Sequence, residues 1–394
     1  MRQHRAKVGS VFLIVFIDLV GFGIVIPFLP LYAEEFGPSP VTFGLLMASY
    51  SAMQFLFAPI LGRLSDRHGR RPVLLLSLAG SVVGYLLFAF SGSLAMLFAS
   101  RIIDGISGGN ISTAQAVIAD VTDERDRTRG MGIIGAAFGL GFICGPALAA
   151  VLVSVAHWLP GVAAAATSAT ALVLVAVALP ETRRAPVGGE GRPPRGRLQA
   201  IRRLIGEPVV GACLVLVFLI IFAFSNFETT FAQLLRLRFA MDISSVGWMF
   251  VYAGVLGALV QGGLVGRLAP RFGERRLITA GAAIAAAAAG ALPFAGSTGR
   301  LLLVLAALAV GHGLLAPSLS SLTSRLVPSH EVGALMGASQ GVSSLGRIVG
   351  PFWAEWAYGA SGPAAPYLSA AAAYAVSAIV IVVAWRTGAA ARGV

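Results

Sequence analysis

Apolar stretches of about 20 residues follow one another along this chain, and a helix of that length crosses the roughly 30 Å of hydrocarbon in a bilayer. Twelve are expected, at 9–32, 43–61, 73–91, 94–119, 130–153, 158–179, 209–235, 244–265, 277–296, 300–324, 333–356 and 364–385. Runs such as Val73 to Leu78 and Leu301 to Val310 are continuous rather than alternating, which excludes a barrel of polar-in strands and leaves helices. With 57% hydrophobic and 12% charged residues, the 394-residue chain lacks the polar surface of a soluble protein. Arg2, Arg5 and Lys7 precede the first run in the manner of a signal peptide. Asp18 interrupts that run and no small-residue cleavage site follows, so it is read as the first span.

The net charge of +12 would suit a nucleic-acid partner if the charge were clustered on a polar surface. Its placement excludes that reading. Taking the N-terminus as cytoplasmic, only Arg236, Arg238 and Arg300 fall outside and only Arg101 and Arg347 inside spans, out of 29 basic residues. This positive-inside pattern puts both termini in the cytoplasm and lays the basic loops against the headgroups of membrane lipid. Cys144 and Cys213 have no ligand-type neighbours, so buried apolar thiols and no metal site are expected. No nucleotide loop or nucleophile triad is visible, and no enzyme activity is expected.

Two unrelated motifs recur at nearly one offset. Gly62-Arg63-Leu64-Ser65-Asp66-Arg67-His68-Gly69-Arg70-Arg71 returns 204 positions later as Gly266-Arg267-Leu268-Ala269-Pro270-Arg271-Phe272-Gly273-Glu274-Arg275. Gly141-x-x-x-Gly145-Pro146 returns 205 positions later as Gly346-x-x-x-Gly350-Pro351, as does Met131-Gly132 as Met336-Gly337. Such spacing implies duplication of a whole bundle. A basic segment rich in proline and glycine divides the copies, giving six-helix bundles at 1–182 and 208–394 joined by a cytoplasmic linker at 183–207.

The Gly-x-Leu-x-Asp-x-x-Gly-Arg-Arg turn, the Gly-Pro ending in span five, and Asp18 leading to Pro27 and Pro30 resemble the major facilitator superfamily over essentially the whole chain. Ile17-Asp18-Leu19, Ala119-Asp120 and the glycine-rich span five are most similar to the twelve-span drug:proton antiporters of the tetracycline-exporter-like branch. The resemblance implies an all-α integral membrane fold of twelve helices in two six-helix halves. It also implies a gating role for Asp66, Arg70 and Asp120, an acidic proton site at Asp18, and a tuning role for Arg101. The span-five motif is associated with antiport in that branch, although here it ends Ala147-Leu148-Ala149-Ala150 without the usual glycines.

Residue chemistry supports a latch independently. Asp66 is expected at the start of span three, where its carboxylate meets the positive helix end, with Arg70 a turn on and Asp120 as acidic partner. A cluster of this kind holds one closed arrangement and breaks in the other. In the second copy Pro270 and Glu274 stand at the places of Asp66 and Arg70, so gating is expected to reside in the N-terminal half. Gly141, Gly145 and Pro146, with Gly346, Gly350 and Pro351, are expected to let helices approach closely, the span-five strip against the opposite half.

Charges inside spans cost roughly 2.5–3.5 kcal/mol each on insertion scales, so they face a cavity or a partner. Asp18 and Asp104 fall in the middle third of spans running in opposite directions and are expected to share a cavity. Arg101 and Asp104, three residues apart, can neutralise one another. Asp18, Arg101 and Asp104 form the expected proton-coupling set. Asn226, Glu228, Gln233, Gln340, Arg347 and Glu355 form the expected substrate cavity, with Glu228 and Glu355 toward an external vestibule. Phe222, Phe224, Phe227 and Phe231 supply aromatic walls or packing, and His312 is read as a packed hydrogen-bonding residue.

The expected function is secondary active transport: proton-coupled export of small amphipathic or lipophilic compounds by alternating access, with protons as coupling ion and no cofactor. A monomer suffices, placed in a bacterial cytoplasmic (inner) membrane. Two alternatives stay open, a lipid or metabolite exporter or flippase, and a non-transporting receptor or scaffold.

Overall fold

In the computed structural model, residues 2–25, 28–108, 140–141, 143–181, 207–327 and 332–391 are described, together with residues 113, 117 and 137. The expected linker at 183–207 lies outside them except for its last residue. The helices are α1 (Arg2–Val25), α2 (Leu29–Glu34), α3 (Pro40–His68), α4 (Arg70–Ala89) and α5 (Leu94–Ser107), then α6 (Ile143–Val153) and α7 (Leu159–Ala178). There follow α8 (Pro208–Phe239), α9 (Ile243–Phe272), α10 (Glu274–Ala291), α11 (Thr298–Arg325), α12 (Val332–Ser361) and α13 (Ala365–Ala391). A helix thus stands at each expected span, the short α2 being additional. Eight of the described helices are long and apolar enough to cross a membrane.

Local chemistry sets the ends. Ser39, Ser93 and Ser297 cap α3, α5 and α11, each side chain accepting the backbone N–H three residues on. Gly69 and Gly273 end α3 and α9 at φ of 103° and 76°, a region that favours glycine. Within α9 a π-helical turn at Val260–Leu264 contains Gly262 and Gly263.

The chain divides into two compact units, Met1–Val187 with Leu235–Val251, and Gly188–Leu234 with Tyr252–Val394. In the first, α4 packs against α5 and α7; in the second, α10 packs against α11 and α13. These are the same pairings displaced by one repeat, which is the structural form of the duplication. Residues 235–251 join the first unit by specific contacts. Arg236 Nη1 reaches Glu34 Oε2 at 2.6 Å, the Ser244 hydroxyl donates to the Ala150 carbonyl at 2.9 Å, and a Cβ at Gly247 would lie 2.5 Å from the Ala150 Cβ.

Candidate functional site

In the first unit the expected coupling residues come together around α5. Arg101 and Asp104 share one face, at 2% and 1% exposure, and Arg101 Nη1 donates to Asp104 Oδ2 at 3.2 Å. Arg101 Nε donates to the Ser100 hydroxyl, and the guanidinium lies 5.8 Å from the Tyr85 ring centroid and 5.6 Å from that of Phe88. Desolvated cation–π contacts of this kind hold a guanidinium away from water. Its Nη2 has no hydrogen-bond partner among the described residues. Gly84 of α4 allows the approach, since a Cβ there would meet the Asp104 Cβ at 3.0 Å. On α1, Asp18 accepts a hydrogen bond of 3.0 Å from the Ser168 hydroxyl of α7 and lies within electrostatic reach of Asp104. The Arg101–Asp104 pair and the Asp18 carboxylate thus form one cluster of ionisable groups between α1, α5 and α7.

A separate open groove of about 530 Å³ in the same unit is lined by Phe16, Ile17, Val20, Cys144, Leu148 and Trp248 among others. It contains no ionisable carboxylate or base, and the hydroxyl of its Thr167 is already donated to the Ala164 carbonyl. Cys144 is accordingly half-buried on this groove, whereas Cys213 is 1% exposed.

At the α3–α4 turn, Arg70 Nη1 binds Asp66 Oδ1 and donates to the Ser65 hydroxyl at 2.7 Å. Asp66 does not cap α4. It lies inside α3, which runs on to His68, and its carboxylate meets Arg70 across the turn at Gly69. The cap is Glu181, just beyond α7: its two carboxylate oxygens accept from the Arg70 and Arg71 backbone N–H groups at 2.9 and 3.2 Å. Sequence reasoning missed Glu181 because 111 residues separate it from Arg70. Gly69 makes room for it, a Cβ there falling 2.3 Å from Glu181 Oε2. Arg71 Nη2 donates to the Ala176 carbonyl, tying the same turn to α7. Asp120 lies outside the described residues.

The second copy of this turn is not merely worn. Glu274 opens α10 and its Oε1 lies 3.1 Å from Arg325 Nη2 at the end of α11, while the Ser321 hydroxyl donates to the same oxygen at 3.0 Å.

The glycine motifs form seams within each unit. A Cβ at Gly141 would stand 2.8 Å from the Leu19 Cβ and one at Gly145 2.5 Å from the Gly23 carbonyl carbon, so both seat on α1. Gly346 and Gly350 seat equivalently on α8, at 3.0 Å from Ile221 and 2.6 Å from the Ser225 Cβ. The expected contact of the span-five glycines with the opposite half is thus replaced by contact with α1 of their own half. It is Ala150, in the motif ending that lacks glycines, that meets Gly247. There the glycine is supplied by the partner helix. Pro146 and Pro351 follow the two seams at equivalent places, Pro351 inside α12.

In the second unit the expected cavity residues divide. Glu228 of α8 and Arg347 of α12 interact electrostatically. Glu355 is 3% exposed, near Tyr367, and so is buried rather than set in a vestibule. Asn226, fully buried, donates to the Phe222 carbonyl at 2.8 Å and faces Ser369 at 3.5 Å, which is a packing role between α8 and α13. Gln233 Oε1 is buried with no hydrogen-bond partner among the described residues, and Gln340 is exposed. Phe224 stacks on His312 at 4.5 Å, and Phe227 meets Phe231 in a tilted pair at 4.6 Å. His312 Nδ1 lies 3.1 Å from the Tyr374 hydroxyl, the packed arrangement expected of it.

Ionisable groups buried between apolar spans of a duplicated helical bundle define an integral membrane transporter for small molecules, and no enzyme. The chain belongs to the Major Facilitator Superfamily, whose profile matches residues 11–351 and, in a second alignment, 213–392. It has the all-helical fold of that family. It is 35% identical over 364 residues to the class G tetracycline resistance protein of Vibrio anguillarum, covering 91% of this chain and 92% of the relative. It is 34% identical over 352 residues to the class C tetracycline resistance protein of Escherichia coli, covering 88% of each. Among solved structures, that of the human organic anion transporter MFSD10 (TETRAN) superposes with a TM-score of 0.73 at 28% identity, covering 96% of this chain and 99% of that one.

Proposed function

We propose that this transporter exports small amphipathic or lipophilic compounds in exchange for protons by alternating access, with Asp18, Arg101 and Asp104 as the coupling set. The reading is carried by the buried Arg101–Asp104 pair with the part-buried Asp18 carboxylate within electrostatic reach of it in the first unit. Charge is costly to bury, so proton uptake and release by Asp18 or Asp104 changes the electrostatic energy of the cluster. That charge change biases two conformations differently, which is what coupling requires. The cytoplasmic Asp66–Arg70 pair, with Asp120 as expected partner, would then act as the latch. The tetracycline resistance relatives support tetracycline as first probe and the bacterial inner membrane as location, the basic-residue pattern supports cytoplasmic termini, and a monomer suffices as working unit.

The test is tetracycline-driven proton movement in proteoliposomes of the purified protein. Asp18→Asn is expected to abolish it, and undiminished movement in that variant would remove Asp18 from the coupling set. A second reading, organic anion transport, is favoured by Arg101 Nη2, a buried donor with no hydrogen-bond partner among the described residues. MFSD10 supports the same reading by its described substrate class. A fluorescent organic anion in the same vesicles separates the two, since only this reading expects its flux to fall in Arg101→Gln.

A further inference from the structure

The second latch is altered in a systematic way. Glu274 stands 204 positions after Arg70, and Arg325 stands 205 after Asp120. Arg386 stands 205 after Glu181, each followed by threonine. All three charges are reversed in sign. The offset of 205 is the one that relates Met131-Gly132 to Met336-Gly337, and burial agrees with it: Thr113 and Val117 are fully buried, and their counterparts Ser318 and Leu322 are 1% and 7% exposed. The offset is still 204 at the caps Ser93 and Ser297, so the extra residue enters between the start of α11 and Ser318. A preference for basic residues on the cytoplasmic face accounts for arginine at 325 and 386. It does not account for glutamate at 274.

We propose that Glu274 and Arg325 form the latch of the C-terminal half with reversed polarity, positioning α10 against α11 for transport as the Arg70 cluster positions α4. The pair is formed in the structure, at 3.1 Å, with Glu274 only 14% exposed and the Ser321 hydroxyl donating to the same oxygen. Reversal also suits the helix ends. Glu274 is the first residue of α10 and Arg325 the last of α11, so each charge opposes the partial charge of its own terminus. In the first half Arg70 sits at the positive end of α4, and the acid that terminus favours comes from Glu181. The second half places the acid directly on the helix. The position of Glu181 is then free to become Arg386. The pair therefore holds with no acidic residue at Pro270, the place of Asp66.

Because a latch matters only if transport occurs, the inference rests on the transport reading, and the test has one arm that does not. Hydrogen exchange of the α10 N-terminal turn and the α11 C-terminal turn in purified protein reads the pair without any substrate. Glu274→Arg and Arg325→Glu are each expected to raise exchange there about tenfold, and the double swap to restore it, as pairs in contact are non-additive. In proteoliposomes each single variant is expected to lose about tenfold in tetracycline transport and the double swap to recover most of it. Neutral Glu274→Gln and Arg325→Gln serve where a reversal fails to fold. Unaltered exchange in the single variants, or none recovered in the swap, overturns the pairing. Exchange that follows the charges while transport stays at the wild-type rate in every variant overturns the latch. If the wild type moves no tetracycline, the function reading fails while the exchange arm still decides the pairing.

Discussion

Gly145→Ala is the sharpest test of how the first half is held together. The added Cβ would stand 2.5 Å from the Gly23 carbonyl carbon, 2.6 Å from its Cα and 2.7 Å from the Ile24 nitrogen. All three are backbone atoms, so no side chain can rotate away. Ordinary contact begins at 3.4 Å, which leaves the two helices about 0.9 Å too close. Opening the seam by that amount forfeits dispersion along it, and in lipid no water exclusion compensates. Overpacking of this kind costs about 1–3 kcal/mol. At roughly 2–4 °C per kcal/mol for a unit of this size, melting falls by ~2–12 °C. The control is Gly337→Ala, where nothing among the described residues lies within 4 Å of the added atom. Both are compared in one detergent at one scan rate, because membrane proteins commonly unfold irreversibly. A Gly145→Ala protein melting with the wild type, or a Gly337→Ala protein falling just as far, refutes the seam.

Two further predictions concern the turns. Gly69→Ala combines φ of 103° with a Cβ 2.3 Å from Glu181 Oε2 and is expected to displace the cap. It should cost about 1–3 kcal/mol, and since Glu181→Ala removes the same cap, the double variant should melt well above the sum of the two losses. Asp242 accepts the Ser245 backbone N–H at 3.1 Å, and its pKa is lowered first by the Ser245 hydroxyl and then by that N–H. The sign follows: its contribution is present above the ordinary aspartate pKa and is lost as pH falls through the lowered value. Asp242→Asn should therefore flatten the acid limb of the melting-temperature profile, and an unchanged limb in that variant counts against the cap.

The spans were legible because bilayer thickness fixes their length and the absence of water fixes their composition. Arg101 with Asp104 was legible because three-residue spacing on a helix dictates contact, whereas the Asp66–Arg70 pair was missed because it spans the break between α3 and α4. What else failed needed partners far along the chain. Glu181 comes to Arg70 from 111 residues along the chain, and nothing local to Pro180-Glu181 marks it as a cap. The span-five glycines announced a close approach, but spacing says only that some helix comes near. Their partner is α1 because Gly23 lies opposite Gly145. Glu355 looked vestibular from its depth in the span, yet depth does not give the direction in which a helix faces, and it faces inward.

The two halves show which features a duplicated bundle can change. A glycine seam is fixed by backbone atoms on both sides, so Gly141 and Gly145 recur as Gly346 and Gly350 on equivalent partner helices. Neither side can vary alone without a steric cost that no second substitution removes cheaply. A charge pair is fixed only by its sum. Reversing both members leaves the Coulomb energy unchanged, and a reversal that puts the acid at a helix N-terminus gains from the dipole. The glycine seams are therefore kept between the halves in residue identity, whereas the charges at the α3–α4 and α9–α10 turns are not. Comparing the copies by identity alone reads Glu274 as decay. Comparing them by partner reads it as one member of an intact pair.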